Sequence, residues 1–459
     1  MVVAKQNRTG RRAFLKAGGL VAAAGALTSM CVPTPGGGAT HVHAHKRAWW
    51  IKSVNRPTLG ETTPNFTRFS GRDMFALYPE LKNQHDGEGS FEAEMKSGEK
   101  RAAQAMNERK PGFTLPDLQL TGGAWTLMHS TKPGSGLLSW TRVSVRTPAE
   151  LGTARHTAPP QEMANLVKAA ARLYGAGLVG ISPMNEAYVN LKQPGDDAHQ
   201  PPKDIVFEDV EVPAVTGTQF VIPMKMKWAV TIAIPMDLDL LSRAPTALGD
   251  AASALGYSHS VFVVASLAEF IRGLGYQAIP MVNDTAQSIP FAIDAGIGEL
   301  SRLNKLVTPE FGPAVRLCKV FTDLPMACDK PVDFGLVDFC RHCKKCAEAC
   351  PSRALSFDDE PSFKIVGPWN NPGHKTWFED SYKCFQYWQK SNSACAICLT
   401  SCPYSKGDQA WIHEGVKAAA STVPVADAAF RAMDDAFGYG KQRAPEDWWN
   451  KEQLSGRKG

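Results

Sequence analysis

The sequence predicts a mixed fold, α/β or α+β, in which a core with a sheet at its centre is followed by a small cysteine-rich module. Between residues 161 and 282, stretches with apolar residues at helical spacing alternate with short apolar runs of strand length. The segment Trp228–Ile234 is apolar almost without a break, which is typical of a strand buried on both faces. Eight of the 11 cysteines lie from Cys340 to Cys402, so the cysteine-rich module follows the core.

Each core element has its own sequence signal. Apolar residues recur every three or four positions from Met163 to Tyr174, and the glycines that follow end this helix. Residues Leu178–Ile181 are then predicted to form a strand. A second helix is expected from about Ser260 to Leu274, and a short strand from Gln277 to Val282. No glycine-rich phosphate-binding motif follows these strands, so nucleotide binding through such a loop is not expected.

The cysteine spacing predicts two [4Fe–4S] clusters in a bacterial ferredoxin-like module. One group is Cys340-x2-Cys343-x2-Cys346-x3-Cys350-Pro351, and the other is Cys384 followed by Cys395-x2-Cys398-x3-Cys402-Pro403. Three thiolates of each group bind one cluster, and the fourth binds the other cluster. The first cluster is therefore assigned Cys340, Cys343, Cys346 and Cys402, and the second is assigned Cys350, Cys384, Cys395 and Cys398.

Zinc and disulfides are the alternative uses of these cysteines. Zinc sites usually pair two distant C-x2-C motifs and stop at four ligands, which fits the pattern less well. The second group also departs from the usual run, because ten residues separate Cys384 from Cys395. Of the other three cysteines, Cys31 lies in the N-terminal segment, and Cys318 and Cys328 are predicted to be small buried thiols, with a disulfide between them still open.

The N-terminus predicts export in the folded state. Arg11-Arg12-Ala13-Phe14-Leu15-Lys16 precedes an apolar run rich in alanine and glycine, as in a twin-arginine signal peptide. The run, Ala17–Val32, is shorter than the roughly 20 residues of a membrane-spanning helix. The segment Val42-His43-Ala44 offers a cleavage site. Folded export suits clusters that must be assembled in a reducing cytoplasm.

Length and composition divide the chain into five regions. They are a signal peptide at 1–44, an irregular N-terminal wrapping region at 45–160, the core at 161–325, the ferredoxin-like module at 326–410 and a C-terminal extension at 411–459. Residues 1–44 hold five basic and no acidic residues, so they account for the whole formal charge of +5. The remaining chain is balanced in charge, which argues against a nucleic-acid partner.

Three segments of the core, taken with the cysteines and the leader, resemble the corrinoid-dependent respiratory reductive dehalogenases. They are Leu255-Gly256-Tyr257-Ser258, Asn283-Asp284-Thr285 and Glu310-Phe311-Gly312-Pro313-Ala314-Val315-Arg316. The resemblance implies a nitroreductase-like core that holds a cobalamin-type corrinoid, base-off, beside one [4Fe–4S] cluster. It also implies that Tyr257, Asn283 and Arg316 line the substrate face of the cobalt, and that Trp388 forms a wall of the pocket.

The chemistry implied by the resemblance is reductive dehalogenation in organohalide respiration, where two electrons and one proton replace halogen with hydrogen. A free phenol, with a pKa of about 10, is a weak acid, but a neighbouring guanidinium stabilises the phenolate. Tyr257 is therefore the expected proton donor, assisted by Arg316, while Asn283 binds the substrate or the tyrosine. The resemblance further implies a small integral membrane-anchor subunit, a quinol-linked electron donor, the twin-arginine translocase as an export partner, and a location on the outer face of the cytoplasmic membrane.

Two other functions stay open at this point. An epoxyqueuosine-reductase-like enzyme would share the cofactors, but its tRNA substrate does not occur outside the membrane where the leader directs this chain. A non-catalytic iron–sulfur electron-transfer subunit would leave the long upstream core without a clear role. The motif D-x-H-x-x-G, which supplies a histidine to cobalt in many cobalamin enzymes, has only an incomplete counterpart at Asp197-Ala198-His199. The sequence does not name the organohalide.

Overall fold

A computed structural model describes residues 48–69, 91–193, 202–405, 431, 434–435 and 438–450 of the 459-residue chain. The expected signal peptide and the segment Asp197–His199 lie outside these residues, as does most of the C-terminal extension. The helices described are α1 (Phe91–Asn107), α2 (Leu115–Ala124), α3 (Thr126–His129), α4 (Pro160–Leu173), α5 (Leu238–Leu241), α6 (Ala247–Gly273), α7 (Ser288–Asp294), α8 (Leu336–Cys343), α9 (Lys345–Ala349), α10 (Ser381–Ser391) and α11 (Ile397–Ser401). The strands described are β1 (Lys52–Ser53), β2 (Leu178–Pro183), β3 (Lys192–Gln193), β4 (Lys203–Glu208), β5 (Ala214–Val215), β6 (Gln219–Pro223), β7 (Trp228–Pro235), β8 (Ala278–Met281), β9 (Glu299–Leu300), β10 (Leu306–Val307), β11 (Val315–Thr322) and β12 (Val332–Asp333).

The core is built on a four-stranded antiparallel sheet in the order β2-β7-β11-β8. Strand β7 is buried along its whole interior because helices cover the sheet and neighbouring strands flank it on both sides. A second sheet, β3-β4-β6-β5, contains one parallel pair, β4 with β6. The mixed α and β fold class predicted from the sequence is confirmed, and the antiparallel central sheet makes the core α+β.

Helix α6 is much longer than expected and runs past the functional site. It begins at Ala247, well before the predicted start at Ser260, because the Oγ1 of Thr246 caps it by accepting from the amide of Gly249 at 3.0 Å. A Cβ at Gly249 would lie 2.5 Å from the backbone nitrogen of Ala244, so glycine is needed in this helical turn. The first turns are buried among small residues on most sides and therefore give no helical stripe in the sequence.

The other core elements agree with the sequence, but the N-terminal region does not. Helix α4 and strands β2, β7 and β8 lie within one or two residues of the predicted bounds. Residues 45–160 were expected to be irregular, and this is wrong for α1 and α2. The sequence of α2 contains proline and glycine, which are weak helix signals. The helix is stabilised at its start by a capping box, in which the amide of Thr114 donates to Oδ2 of Asp117 at 2.9 Å.

The cysteine-rich module shares a hydrophobic core with the rest of the chain. Strand β1 pairs with β12 directly before α8, and Trp50 contacts Phe334 edge-on with ring centroids 6.3 Å apart. Tyr404 in turn contacts Phe334 and Phe339 at 5.7 and 5.5 Å. The module is therefore packed against the core rather than tethered to it.

Among the described residues, only α6 has the length and apolar composition that could cross a bilayer, and most of it is buried in the fold as in a core helix.

Cys318 is buried and Cys328 is exposed, and neither forms a disulfide. The prediction of a buried thiol is thus confirmed for Cys318 and wrong for Cys328.

Candidate active site

The structure brings the three predicted catalytic side chains into direct contact. The Nδ2 of Asn283 donates a hydrogen bond of 2.7 Å to the phenol oxygen of Tyr257, and Nη1 of Arg316 donates one of 3.2 Å to the same atom. The guanidinium carbon of Arg316 also lies 4.4 Å from the centroid of the Tyr257 ring. Two donors, one of them cationic, therefore face one oxygen, which is the arrangement that stabilises a phenolate.

Three separate elements supply these side chains. Tyr257 comes from the middle of α6, Arg316 is the second residue of β11, and Asn283 follows the end of β8. Strands β8 and β11 are antiparallel neighbours with Met281 opposite Lys319, so the chain that leaves β8 runs towards Arg316. A Cβ at Gly256 would lie 2.9 Å from Cγ of Arg316, which explains why glycine precedes the tyrosine.

A buried lysine, which the sequence interpretation did not single out, holds the loop of Asn283. Lys319 has no exposed surface, and its Nζ donates to the carbonyls of Val282 at 3.1 Å and Asp284 at 3.2 Å and to Oγ of Ser288 at 3.1 Å. Burial lowers the pKa of Lys319 to about 8, against the opposing effect of Asp284. All three acceptors belong to the segment around Asn283, so this ammonium fixes the position of the amide.

The same loop contains a strained residue. Thr285 has a φ of 65°, which is unfavourable for a β-branched side chain. Its amide donates to Oε1 of Gln193 at 3.1 Å, and its hydroxyl donates to Oδ2 of Asp284 at 2.9 Å. The surrounding hydrogen bonds compensate for the strain and turn Asn283 towards Tyr257.

An aromatic stack covers the other side of Tyr257. The Trp125 ring lies 5.3 Å from the Tyr257 ring at an angle of 20°, and His129 stacks on Trp125 at 5.0 Å. The indole Nε1 of Trp125 donates to Oδ2 of Asp250 at 3.4 Å, and burial raises the pKa of Asp250. In the sequence, Trp125 and His129 are four residues apart, and Asp250 and Tyr257 are seven residues apart. Nothing in the sequence indicated that these two segments contact each other.

Trp388 is the fourth predicted site residue. It is on α10, contacts Phe385 with ring centroids 6.2 Å apart, and its Nε1 is buried without a partner among the described residues. None of the hydrogen bonds or ring contacts between described residues joins Trp388 to Tyr257, Asn283 or Arg316. Its place in the pocket wall stays a prediction.

A cavity of about 630 Å³ opens beside Asn283. Its lining includes many amide and aromatic side chains, among them Tyr188, Asn190, Gln287, Asn304, Trp369, Asn370, Asn371, His374 and Phe378. Several buried polar atoms in this wall have no hydrogen-bond partner among the described residues, namely Oδ1 of Asn190, Nε2 of Gln287, Nε1 of Trp369 and both side-chain polar atoms of Asn371. Buried groups of this kind normally have a partner, so the wall fits a large ligand that carries amides, as a corrinoid does.

The first cysteine group surrounds a smaller cavity. Cys340, Cys343, Cys346 and Cys402 line it together with Arg302. Burial raises the pKa of Cys340 to about 12 and that of Cys343 to about 11. These thiols would stay protonated at neutral pH unless a metal centre stabilised their thiolates.

The second cysteine group is also brought together. Burial raises the pKa of Cys398 to about 12 and that of Cys395 to about 11, and the charge of Cys350 raises both further. Cys384 is coupled to Cys398 in the same way. Helix α10 carries Cys384 and occupies most of the ten-residue gap before Cys395, so the unusual spacing is the length of a helix. No set of three or more His, Cys, Asp or Glu within the described residues is arranged to hold a single metal ion.

Comparison with known proteins gives consistent matches for both parts of the chain. Residues 46–326 match the family described as reductive dehalogenase subunit, and residues 339–406 match the 4Fe-4S dicluster domain. The tetrachloroethene reductive dehalogenase of Sulfurospirillum multivorans is 36% identical over 372 residues, which cover 77% of this chain and 73% of that protein. The enzyme of the same name from Dehalobacter restrictus is 33% identical over 73% of this chain and 65% of that protein.

The fold is similar to a solved structure as well. The catabolic reductive dehalogenase NpRdhA superposes with a TM-score of 0.62 at 26% sequence identity. The match covers 85% of this chain and 49% of that chain, so the chain spans about half the length of the solved protein.

Proposed function

Because the chain belongs to the reductive dehalogenase family, we propose that it replaces a halogen substituent of an organic substrate with hydrogen. The reaction breaks a carbon–halogen bond, forms a carbon–hydrogen bond, consumes two electrons and one proton, and releases halide. The observation that carries the proposal is the hydrogen-bonded group of Tyr257, Asn283 and Arg316, of which Asn283 lines a cavity of about 630 Å³.

The residues present fit a corrinoid. The cavity beside Asn283 offers unpaired amides and an indole N–H to the amide-bearing periphery of such a cofactor. Asn190, Gln287, Trp369 and Asn371 would hold it there. When bound, the corrinoid supplies a strongly reducing cobalt centre, which is chemistry that no side chain provides.

Within this reaction, the chain's own residues donate the proton and stabilise the negative charge that remains on the donor. Tyr257 Oη gives its proton to the carbon that loses the halogen, which leaves a phenolate. Arg316 Nη1 and Asn283 Nδ2 already point at that oxygen and need no rearrangement to stabilise the charge. Removal of one such donor from a preorganised site typically lowers turnover by about 10²- to 10³-fold.

The two [4Fe–4S] clusters of the dicluster domain, when bound, would supply one-electron chemistry to the site. We propose that the first cluster is held by Cys340, Cys343, Cys346 and Cys402, and the second by Cys350, Cys384, Cys395 and Cys398. The first set is supported by its shared cavity and the second by the mutual electrostatic effects of its thiols.

The cellular setting is part of the same proposal. The twin-arginine leader supports export of the folded protein through the twin-arginine translocase to the outer face of the cytoplasmic membrane. There the protein would act as a terminal reductase in organohalide respiration. It would be held by a small integral membrane-anchor subunit and receive electrons from a quinol-linked donor.

Halide release by the purified protein tests the proposed function. The protein is loaded with corrinoid and iron–sulfur clusters, reduced, and assayed against a panel of chlorinated ethenes, alkanes and aromatics. Halide release that requires both the corrinoid and the reductant is expected for at least one class. Protein that carries both clusters yet binds no corrinoid and releases no halide would identify an electron carrier instead.

A further inference from the structure

A tight hairpin of the core reaches both cysteine groups. Strands β9 and β10 pair through Leu300 and Leu306, and the amide of Ser301 donates to the carbonyl of Lys305 at 3.1 Å across the tip. The tip is fixed further by the hydroxyl of Ser301, which donates to the same carbonyl at 2.8 Å. Arg302 lies in the wall of the first cysteine cavity, and Lys305 lies close enough to the second group to affect its thiols. One rigid turn therefore brings a cation to each group.

Arg302 is an unusual cation because it is buried and no carboxylate of the described residues forms a salt bridge with it. It is 1% exposed, and its four hydrogen bonds all go to backbone carbonyls of the module. Nε donates to Cys340 at 2.9 Å, and Nη1 donates to Ser356 at 2.9 Å and Asp358 at 2.6 Å. It forms no salt bridge with any described residue, and its guanidinium lies 4.7 Å from the Trp377 ring centroid.

An uncompensated buried charge is costly, so its retention calls for an anionic neighbour. Four thiols line this cavity beside Arg302, and a [4Fe–4S] centre bound by four thiolates is itself an anion. The thiolate positions of Cys340, Cys346 and Cys343 act on Arg302 in the stabilising direction, and the carboxylate of Asp359 adds a smaller effect of the same sign. The guanidinium is thus placed as the counter-charge of the first cluster.

The second cysteine group has a different electrostatic environment. Lys305 forms a salt bridge with Glu379, whose side chain is 10% exposed. The two charges act in opposite directions on both Cys384 and Cys398, and Glu379 also hydrogen-bonds Cys384, so Lys305 does not act on this group as a lone cation. The tip of the β9–β10 hairpin therefore gives the first group a net positive charge and the second group a neutral pair.

We propose that this hairpin tip sets the reduction potentials of the two clusters separately, with Arg302 raising that of the first cluster and the Lys305–Glu379 pair leaving that of the second nearly unshifted. A nearby positive charge stabilises the more negative, reduced state of a cluster and so raises its potential. The proposal depends on the dicluster domain and not on the organohalide, because cluster potentials are measured without substrate.

A redox titration of the holoprotein monitored by electron paramagnetic resonance tests this proposal. Three variants are compared with wild type: Arg302→Met, which removes the charge, Arg302→Lys, which keeps it, and Glu379→Gln, which unbalances the second pair. Cys340→Ser identifies the signal of the first cluster, and iron per chain shows that clusters are present. Arg302→Met should lower the potential of the first cluster by at least a tenfold change in its reduction equilibrium, about 59 mV for one electron.

The other variants separate charge from structure. Arg302→Lys should shift the first potential much less than Arg302→Met, and Glu379→Gln should raise only the second potential. Equal shifts from Arg302→Met and Arg302→Lys, equal shifts of both clusters, or no shift with full iron content would overturn the proposal. If Arg302→Met fails to retain iron, the other two variants decide. A small shift of the first potential in Arg302→Lys together with a rise of only the second potential in Glu379→Gln supports the proposal. Equal shifts of both clusters, or no shift in Glu379→Gln, would overturn it.

Discussion

Replacing Lys319 with methionine is expected to lower turnover by releasing the loop that presents Asn283. The substitution removes three hydrogen bonds to this loop at once, those to Val282, Asp284 and Ser288. Hydrogen bonds from a charged donor contribute about 1.5–3 kcal/mol each, and the φ of 65° at Thr285 stores about 1–3 kcal/mol of strain. Without the ammonium, the loop should relax away from the strained turn, and Asn283 Nδ2 should leave Tyr257.

The expected size of the effect follows from the donor that is lost. If Lys319 acts through Asn283, Lys319→Met lowers kcat by no more than Asn283→Ala does, on the order of 10²-fold. The assay is steady-state halide release with corrinoid and iron content measured in parallel. Lys168→Met is the matched control, because Lys168 is also largely buried and bonded, to Asp329 at 2.6 Å, but lies outside the site.

A double-mutant cycle distinguishes this positioning role from general loss of structure. In the Asn283→Ala background, Lys319→Met should have almost no further effect on kcat, because the amide that it positions is already absent. Ser288→Ala, which removes one of the three acceptors, should show a smaller loss in the wild-type background and none beside Asn283→Ala. Additive losses in both cycles would refute the reasoning.

The remaining predictions concern the stack, the clusters and pH. Trp125→Leu removes the ring that packs on Tyr257 and should lower kcat/KM by about 2- to 12-fold, since aromatic pairs contribute about 0.5–1.5 kcal/mol; an unchanged value in steady-state kinetics would remove Trp125 from the site. Cys340→Ser should reduce iron per chain by metal analysis, and unchanged iron would disprove the cluster assignment. Burial lowers the pKa of Lys319 to about 8, below its unfolded value of about 10.4, so the unfolded state binds more protons between these values and stability from this group rises as pH increases from about 8 to 10. Chemical denaturation of wild type and Lys319→Met across this range should show the rise only in wild type, and parallel curves would contradict it.

The sequence predicted the parts of this protein that depend on local spacing. The cysteine runs assigned each thiol to a group, and the segments around Tyr257, Asn283 and Arg316 pointed to side chains that the structure then brings together. Metal coordination and short motifs leave such signals because the chemistry requires fixed residue types at fixed separations.

The parts that it missed depend on packing between distant segments. Lys319 looks like any strand lysine in the sequence, and only the pairing of β11 with β8 places it under the loop of Asn283. Trp125 lies in the region that the sequence predicted to be irregular, and it was missed because its contact with Tyr257 requires α2 and α6 to pack together. The early start of α6 was missed because a helix buried on most sides shows no amphipathic period.

The electrostatic role of the hairpin could not have been found from spacing either. Arg302 and Lys305 are three residues apart in a charged turn, which by composition alone predicts a solvated loop. The structure shows one of them buried among backbone carbonyls and the other bound to a carboxylate. The distinction between the two cations therefore comes entirely from the surrounding fold.

Single-turnover halide release by Tyr257→Phe tests the central claim most directly. The variant keeps the ring that stacks on Trp125 and loses only the hydroxyl that receives the bonds from Asn283 and Arg316. With reduced corrinoid and full iron content, halide release should fall by at least about 10²-fold relative to wild type, while Tyr174→Phe, a half-buried tyrosine elsewhere in the core, should leave it unchanged. Wild-type release from Tyr257→Phe would contradict the assignment of this hydroxyl as the proton donor.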